Sequence, residues 1–128
     1  MGGVGIKNVG DLKVYQLSYE LAMVIFGVTA NFPKEEKYSL IDQMRRSSRS
    51  VAINIREGYA KRKYGRVFVR HINDALGSSE ETRGWLKFSV DCGYIQKEEF
   101  LAIDKQYGEL GAMLFSLMKN WKTYSNET

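Results

Sequence analysis

The last third of the chain spaces its apolar residues in a way that leaves little choice of fold. Phe100, Ile103, Tyr107, Leu110, Leu114, Leu117, Trp121 and Tyr124 follow one another at steps of three or four residues without a miss. At ~3.6 residues per helical turn such a run stays on one side of a helix, and a seam that long must be buried against other helices at a shallow angle. No stretch alternates with a period of two over a useful length, so there are no strands from which to build a sheet.

Three earlier segments repeat the pattern. Val14, Leu17, Leu21, Ile25, Val28 and Phe32 form the first stripe, and Pro33 closes it because the residue before a proline is pushed out of the α region. Ile41, Met44, Ser48, Val51, Ile55 and Tyr59 form the second, opened by Ser39 and Asp42 in capping-box spacing and closed by the turn at Tyr64-Gly65. Phe68, Ile72, Ala75, Ser79, Thr82, Leu86 and Val90 form the third, with Gly93 behind it as a left-handed cap. The expected fold is all-α: an up-down-up-down antiparallel four-helix bundle with helices at about 11–32, 39–62, 65–92 and 96–124.

The chain has 128 residues, 44% of them hydrophobic and 27% charged, enough for one domain to bury its own core. The opening MGGVGIKNVG reads as a flexible tail (residues 1–10) without the pattern of a signal peptide, which leaves 11–125 as the domain. Cys92 is the single cysteine, so no disulfide can form within the chain, and a reducing, cytoplasmic setting fits best. The longest uncharged run, Leu21 to Pro33, is short of the ~20 residues that span a bilayer.

The charge is unevenly placed. Between Arg45 and Arg70 stand nine bases (Arg45, Arg46, Arg49, Arg56, Lys61, Arg62, Lys63, Arg66 and Arg70) and one acid, Glu57, whereas acids outnumber bases elsewhere. On a helical wheel Arg45, Arg49, Arg56 and Lys63 fall within about 40° of one another, beside the buried face of the second helix. Such a stripe can cover apolar edges with its stems, pair with acids such as Glu80, Glu81 or Asp91, or face a polyanion. Seven of the nine bases are arginine, which favours planar contacts to phosphate or carboxylate.

Catalysis finds few parts. His71 is the only histidine and has no second ligand at metal spacing, and Cys92 lies 21 residues away on the same helix, roughly 30 Å distant at ~1.5 Å per residue. No nucleophile–base pair, phosphate loop, metal or cofactor site is expected, and the chain is read as a non-enzyme. The aromatics sit at core-like spacing, so no stacking platform of the kind used by single-strand binders is expected. Any contact with nucleic acid would be dominated by phosphate.

Asp11-Leu12-Lys13-Val14-Tyr15, FPKEEKYSL from Phe32, QMRRSSRSVAINIREGY from Gln43, ALGSSEET from Ala75 and GYI from Gly93 occur in that order. In these the chain resembles the four-helix-bundle proteins encoded in intervening sequences of 23S ribosomal RNA genes. It departs from them at Arg56, where the family usually has a small residue, and at Arg83-Gly84. The resemblance implies a ring-like homopentamer. It also implies kinship with the accessory protein of diversity-generating retroelements, a basic pentameric barrel that binds nucleic acid and a reverse transcriptase. In that setting Ile53, Asn54 and Glu57, with Glu80 and Glu81 of the third helix, are expected at the subunit interface. The nine bases are expected to form an assembled surface for nucleic acid, RNA ahead of DNA. The alternative is an oligomeric scaffold or adaptor whose arginines are spent on intersubunit salt bridges.

Overall fold

A computed structural model describes residues 6–126, with side chains through residue 121. It contains four long helices, α1 (Lys13–Thr29), α2 (Leu40–Ala60), α3 (Gly65–Asp91) and α4 (Lys97–Asn126), and no strand among the described residues. The pairs that touch across helices fix the direction of each. Thr29 meets Arg45 while Tyr15 meets Arg56, so α1 and α2 are antiparallel. Met44 meets Ser89 and Asn54 meets His71, reversing α3 against α2, while Arg83 meets Asp104 and Phe68 meets Trp121, reversing α4 against α3. The molecule is an up-down-up-down four-helix bundle.

The stripes expected from spacing are the ones that line its core. Leu21, Ile25, Met44, Val51, Ile55, Phe68, Ile72, Leu86, Tyr107, Leu110 and Leu114 are almost wholly inaccessible, with Val28, Val90, Phe100, Leu117 and Trp121 packed at the edges. Tyr124, the last residue of the fourth stripe, has its side chain outside the described residues.

The helix ends differ from expectation in three places. First, α1 stops at Thr29 and not at Phe32. Pro33 has no N–H to offer the Thr29 carbonyl, and the chain tightens instead through Asn31 N–H to Val28 and Phe32 N–H to Thr29 before a 3-10 turn at Lys34–Glu36. Second, Ser39 and Asp42 do not form a capping box. The Ser39 hydroxyl turns back and donates to Glu36 Oε1 at 2.7 Å, and α2 begins without a side-chain cap. Third, α2 ends at Ala60, which puts Lys63 in the turn and off the helical stripe.

Of the first ten residues, 1–5 lie outside the described residues, but Val9 is buried in a 3-10 turn, Val9–Asp11. That turn carries a capping box: Asn8 accepts from the Gly10 N–H, and Asp11 accepts from the N–H groups of Lys7 and Asn8. Gly93 is the expected left-handed cap, with φ of 78°. Around it Tyr94 N–H reaches Ser89 and Gly93 N–H reaches Val90, closing α3 in a Schellman motif.

The α2–α3 contact is built from small and hydroxylated residues. Thr82 Oγ1 donates to Ser47 Oγ at 2.8 Å, the Ser50 and Ser78 hydroxyls lie 2.9 Å apart, and Ser89 donates to the Met44 sulfur. At Gly58 the helices come so close that a Cβ would stand 2.8 Å from His71 Cβ.

Candidate nucleic-acid interface

The nine bases separate into two groups. Arg45, Arg49 and Arg56 lie on α2 along its border with α1. Arg45 is tied down: Nε donates to Thr29 Oγ1 at 2.9 Å, Nη2 donates to the Phe26 carbonyl at 3.3 Å, and the guanidinium lies 4.5 Å from the Phe26 ring centre. It closes the end of α1 by taking a last-turn carbonyl, where a cation is favoured by the helix dipole. Arg49 is exposed and lies 5.9 Å from the Phe26 ring centre, and Arg56 stands 5.9 Å from the Tyr15 ring centre, with Nη1 3.4 Å from its hydroxyl. Arg46 points elsewhere and reaches Asp42 at 4.0 Å.

Lys61, Arg62 and Lys63 form the turn after α2, and Arg66 and Arg70 follow on the first turns of α3, all exposed. Arg62 donates to the Tyr59 carbonyl and covers that ring at 3.9 Å, while Lys63 stands over Tyr64. The turn thus makes a basic end to the bundle. The stripe that the sequence draws as one line is broken here, because Lys63 lies past the end of the helix.

Four acids that could have neutralised these bases are engaged with other residues. Asp104 and Glu80 both hold Arg83, whose pKa is pushed above the ordinary arginine value chiefly by the hydrogen bond from its Nε to Asp104 at 2.8 Å. Glu81 accepts from Trp85 Nε1 at 3.0 Å, and Asp91 pairs with Lys87. Arg46 is therefore the single member of the nine in an ion pair among the described residues.

Of the residues expected at a subunit interface, Ile53 is 51% exposed and Glu57 is exposed on the same helix. Asn54 is half-buried and engaged within the subunit: its amide nitrogen donates to the Ser50 carbonyl and its Oδ1 lies 3.2 Å from His71 Nδ1. Glu80 and Glu81 are exposed but make the contacts with Arg83 and Trp85 described above. His71 sits at the α2–α3 contact, and Cys92 is exposed at the end of α3. The described residues contain no group of three or more His, Cys, Asp or Glu placed to hold a metal ion. None of their helices is long and apolar enough to cross a membrane.

The core-like spacing of the aromatics predicts no stacking platform, yet α1 carries a row of partly exposed rings. Tyr15, Tyr19 and Phe26 share one face of α1, with Tyr19 55% and Phe26 43% exposed and the Tyr15 and Tyr19 rings 6.2 Å apart. Phe26 lies beside Arg45 and Arg49, and Tyr15 lies beside Arg56. The signal is in the sequence: Tyr15-Tyr19-Ala22-Phe26 and Arg45-Arg49-Ala52-Arg56 have the same spacing of four, three and four residues. Only the antiparallel contact of α1 with α2 shows that the two sets are neighbours.

The family model for the 23S rRNA-intervening sequence protein matches residues 10–116. The chain belongs to that family. Among solved structures, this intervening-sequence protein is similar to a protein of unknown function of the S23 ribosomal protein family from Bacteroides thetaiotaomicron. The TM-score is 0.75 at 29% identity, over 83% of this chain and 95% of that one. No curated protein matches the chain.

Proposed function

We propose that this intervening-sequence protein is a non-enzymatic, cytoplasmic, ring-forming homo-oligomer that binds RNA, in preference to DNA, through the basic residues of α2 and the turn that follows it. The observation that carries this reading is the unneutralised charge. Eight of the nine bases between Arg45 and Arg70 have no acid partner among the described residues, while Asp91, Asp104 and Glu80 are paired with other bases. Repetition around a ring would multiply both the field and the number of phosphates reached together.

The test is a fluorescence-anisotropy titration against a labelled structured RNA at several salt concentrations, alongside light scattering. The affinity should fall with salt with a log–log slope near ~0.9 per duplex phosphate contacted. Arg49→Glu and Arg66→Glu should each weaken binding about tenfold or more while the assembly keeps its mass. Absence of binding at low salt would sink the proposal. Dissociation of the ring by Arg49→Glu or Arg56→Glu would instead favour the scaffold, in which those arginines meet carboxylates of a neighbouring subunit. A reverse transcriptase as protein partner is a separate proposal, open to test by co-purification with the purified enzyme.

A further inference from the structure

The paired stripes on α1 and α2 combine two chemistries that phosphate binding alone does not require. Cations suffice to hold a duplex, whose bases are stacked on one another with their faces closed to side chains. Unpaired bases offer their faces, and proteins that bind single strands meet those faces with aromatic rings while arginine follows the backbone. Here Tyr19 and Phe26 expose their rings on one helix, and on the next Arg49 stands by Phe26 and Arg56 by Tyr15, neither with an acid partner among the described residues. Between the two ends of the strip each helix also carries one alanine, Ala22 and Ala52, both largely buried.

Core packing does not account for this arrangement. A ring 55% exposed adds little to the core, whereas Phe32, Tyr59, Phe68 and Tyr107 of the core stripes are each less than a tenth exposed. Arg45 shows what a structural arginine looks like in this fold, with two hydrogen bonds and a ring contact. Arg49 has only its distant ring contact.

We infer that the strip formed by Tyr15, Tyr19 and Phe26 of α1 with Arg49 and Arg56 of α2 is a site for single-stranded RNA, with bases stacking on the exposed rings and arginines meeting phosphates. This rests on the proposal that the protein binds RNA and names the form of RNA and the place. The basic turn from Lys61 to Arg66 is left as a phosphate contact that a duplex can use equally well.

The test compares a short labelled oligouridylate with a labelled blunt RNA duplex of the same length, using the full chain in its native assembly. Tyr19→Ala, and Tyr19→Ala with Phe26→Ala, should weaken the single strand about tenfold or more and leave the duplex nearly unchanged. Tyr19→Ala alone does not touch the anchorage of Arg45, so it remains readable should the double variant melt early. Arg49→Lys, which keeps the charge but not the plane, should weaken the single strand by a smaller factor. Equal binding of the oligouridylate by wild type and variants overturns the stacking site while leaving the phosphate surface standing. So does an equal loss on both ligands. A lowered oligomeric mass in Tyr19→Ala overturns it in favour of a second copy of the chain covering the rings. Wild type that binds neither ligand overturns both proposals.

Discussion

Gly58 is where the packing leaves least room. The atom that a new Cβ would meet is the Cβ of His71, which is fixed to its backbone and cannot swing aside. Alanine is worth ~1 kcal/mol over glycine in a helix, yet forcing α2 from α3 costs about 1–3 kcal/mol. Gly58→Ala should therefore lower the melting temperature, with a net loss of up to about 2 kcal/mol. Gly77 lies in the middle of α3 with nothing near its missing side chain, so Gly77→Ala should gain ~0.5–1 kcal/mol. Thermal melts of the two variants should move in opposite directions. A rise in both would mean that α2 and α3 are less tightly joined than the hydroxyl seam indicates.

At the scale of the element, the two turns at the far end of the bundle are fastened to each other. Ser39 Oγ donates to one oxygen of Glu36, and Tyr94 Oη, from the α3–α4 turn, donates to the other at 2.8 Å. The two bonds hold the Glu36 carboxyl below its ordinary pKa, Ser39 contributing more than Tyr94, and the same contact raises Tyr94. Ionised Glu36 is thus favoured by the fold. The contribution is complete above the unfolded value near ~4.3 and is lost as pH falls through the lowered folded value. Tyr94 acts at the other limit, contributing below ~10 and losing its share as pH rises through its raised value. Carboxyl NMR of Tyr94→Phe should show Glu36 titrating at higher pH than in wild type; an unmoved midpoint would mean that the fastening is absent in solution. The helical stripes were legible residue by residue, because a spacing of three and four is a direct image of the buried side. The ends were not. Pro33 acts on a carbonyl four residues back, which shortens α1 beyond its immediate neighbour, and Ser39 had a nearby carboxylate to prefer over a backbone N–H. The charge of α2 was legible as well, but not its separation into two groups or the rings beside it, since those depend on where α2 ends and which helix lies next to it.

For the whole molecule, the proposed assembly predicts that an exposed apolar residue on α2 is covered by a neighbour. Ile53→Asp should lower the mass seen by light scattering toward the 14.7 kDa of a single chain while the helical signal persists. An unchanged mass would place the interface elsewhere. The strip between α1 and α2 has a further property. A spacing of four, three and four reads the same forwards and backwards, so two such rows laid antiparallel present one succession of intervals whichever end is taken first. In its spacing the strip has no polarity, and a chain-like ligand would meet the same sequence of steps entering from either side. What direction it has comes from the residues that fill those positions, with Tyr19 nearer one end and Arg49 nearer the other, and from the two ends themselves. At one, Arg45 is fastened to a helix terminus over Phe26; at the other, Arg56 rests on the phenol of Tyr15.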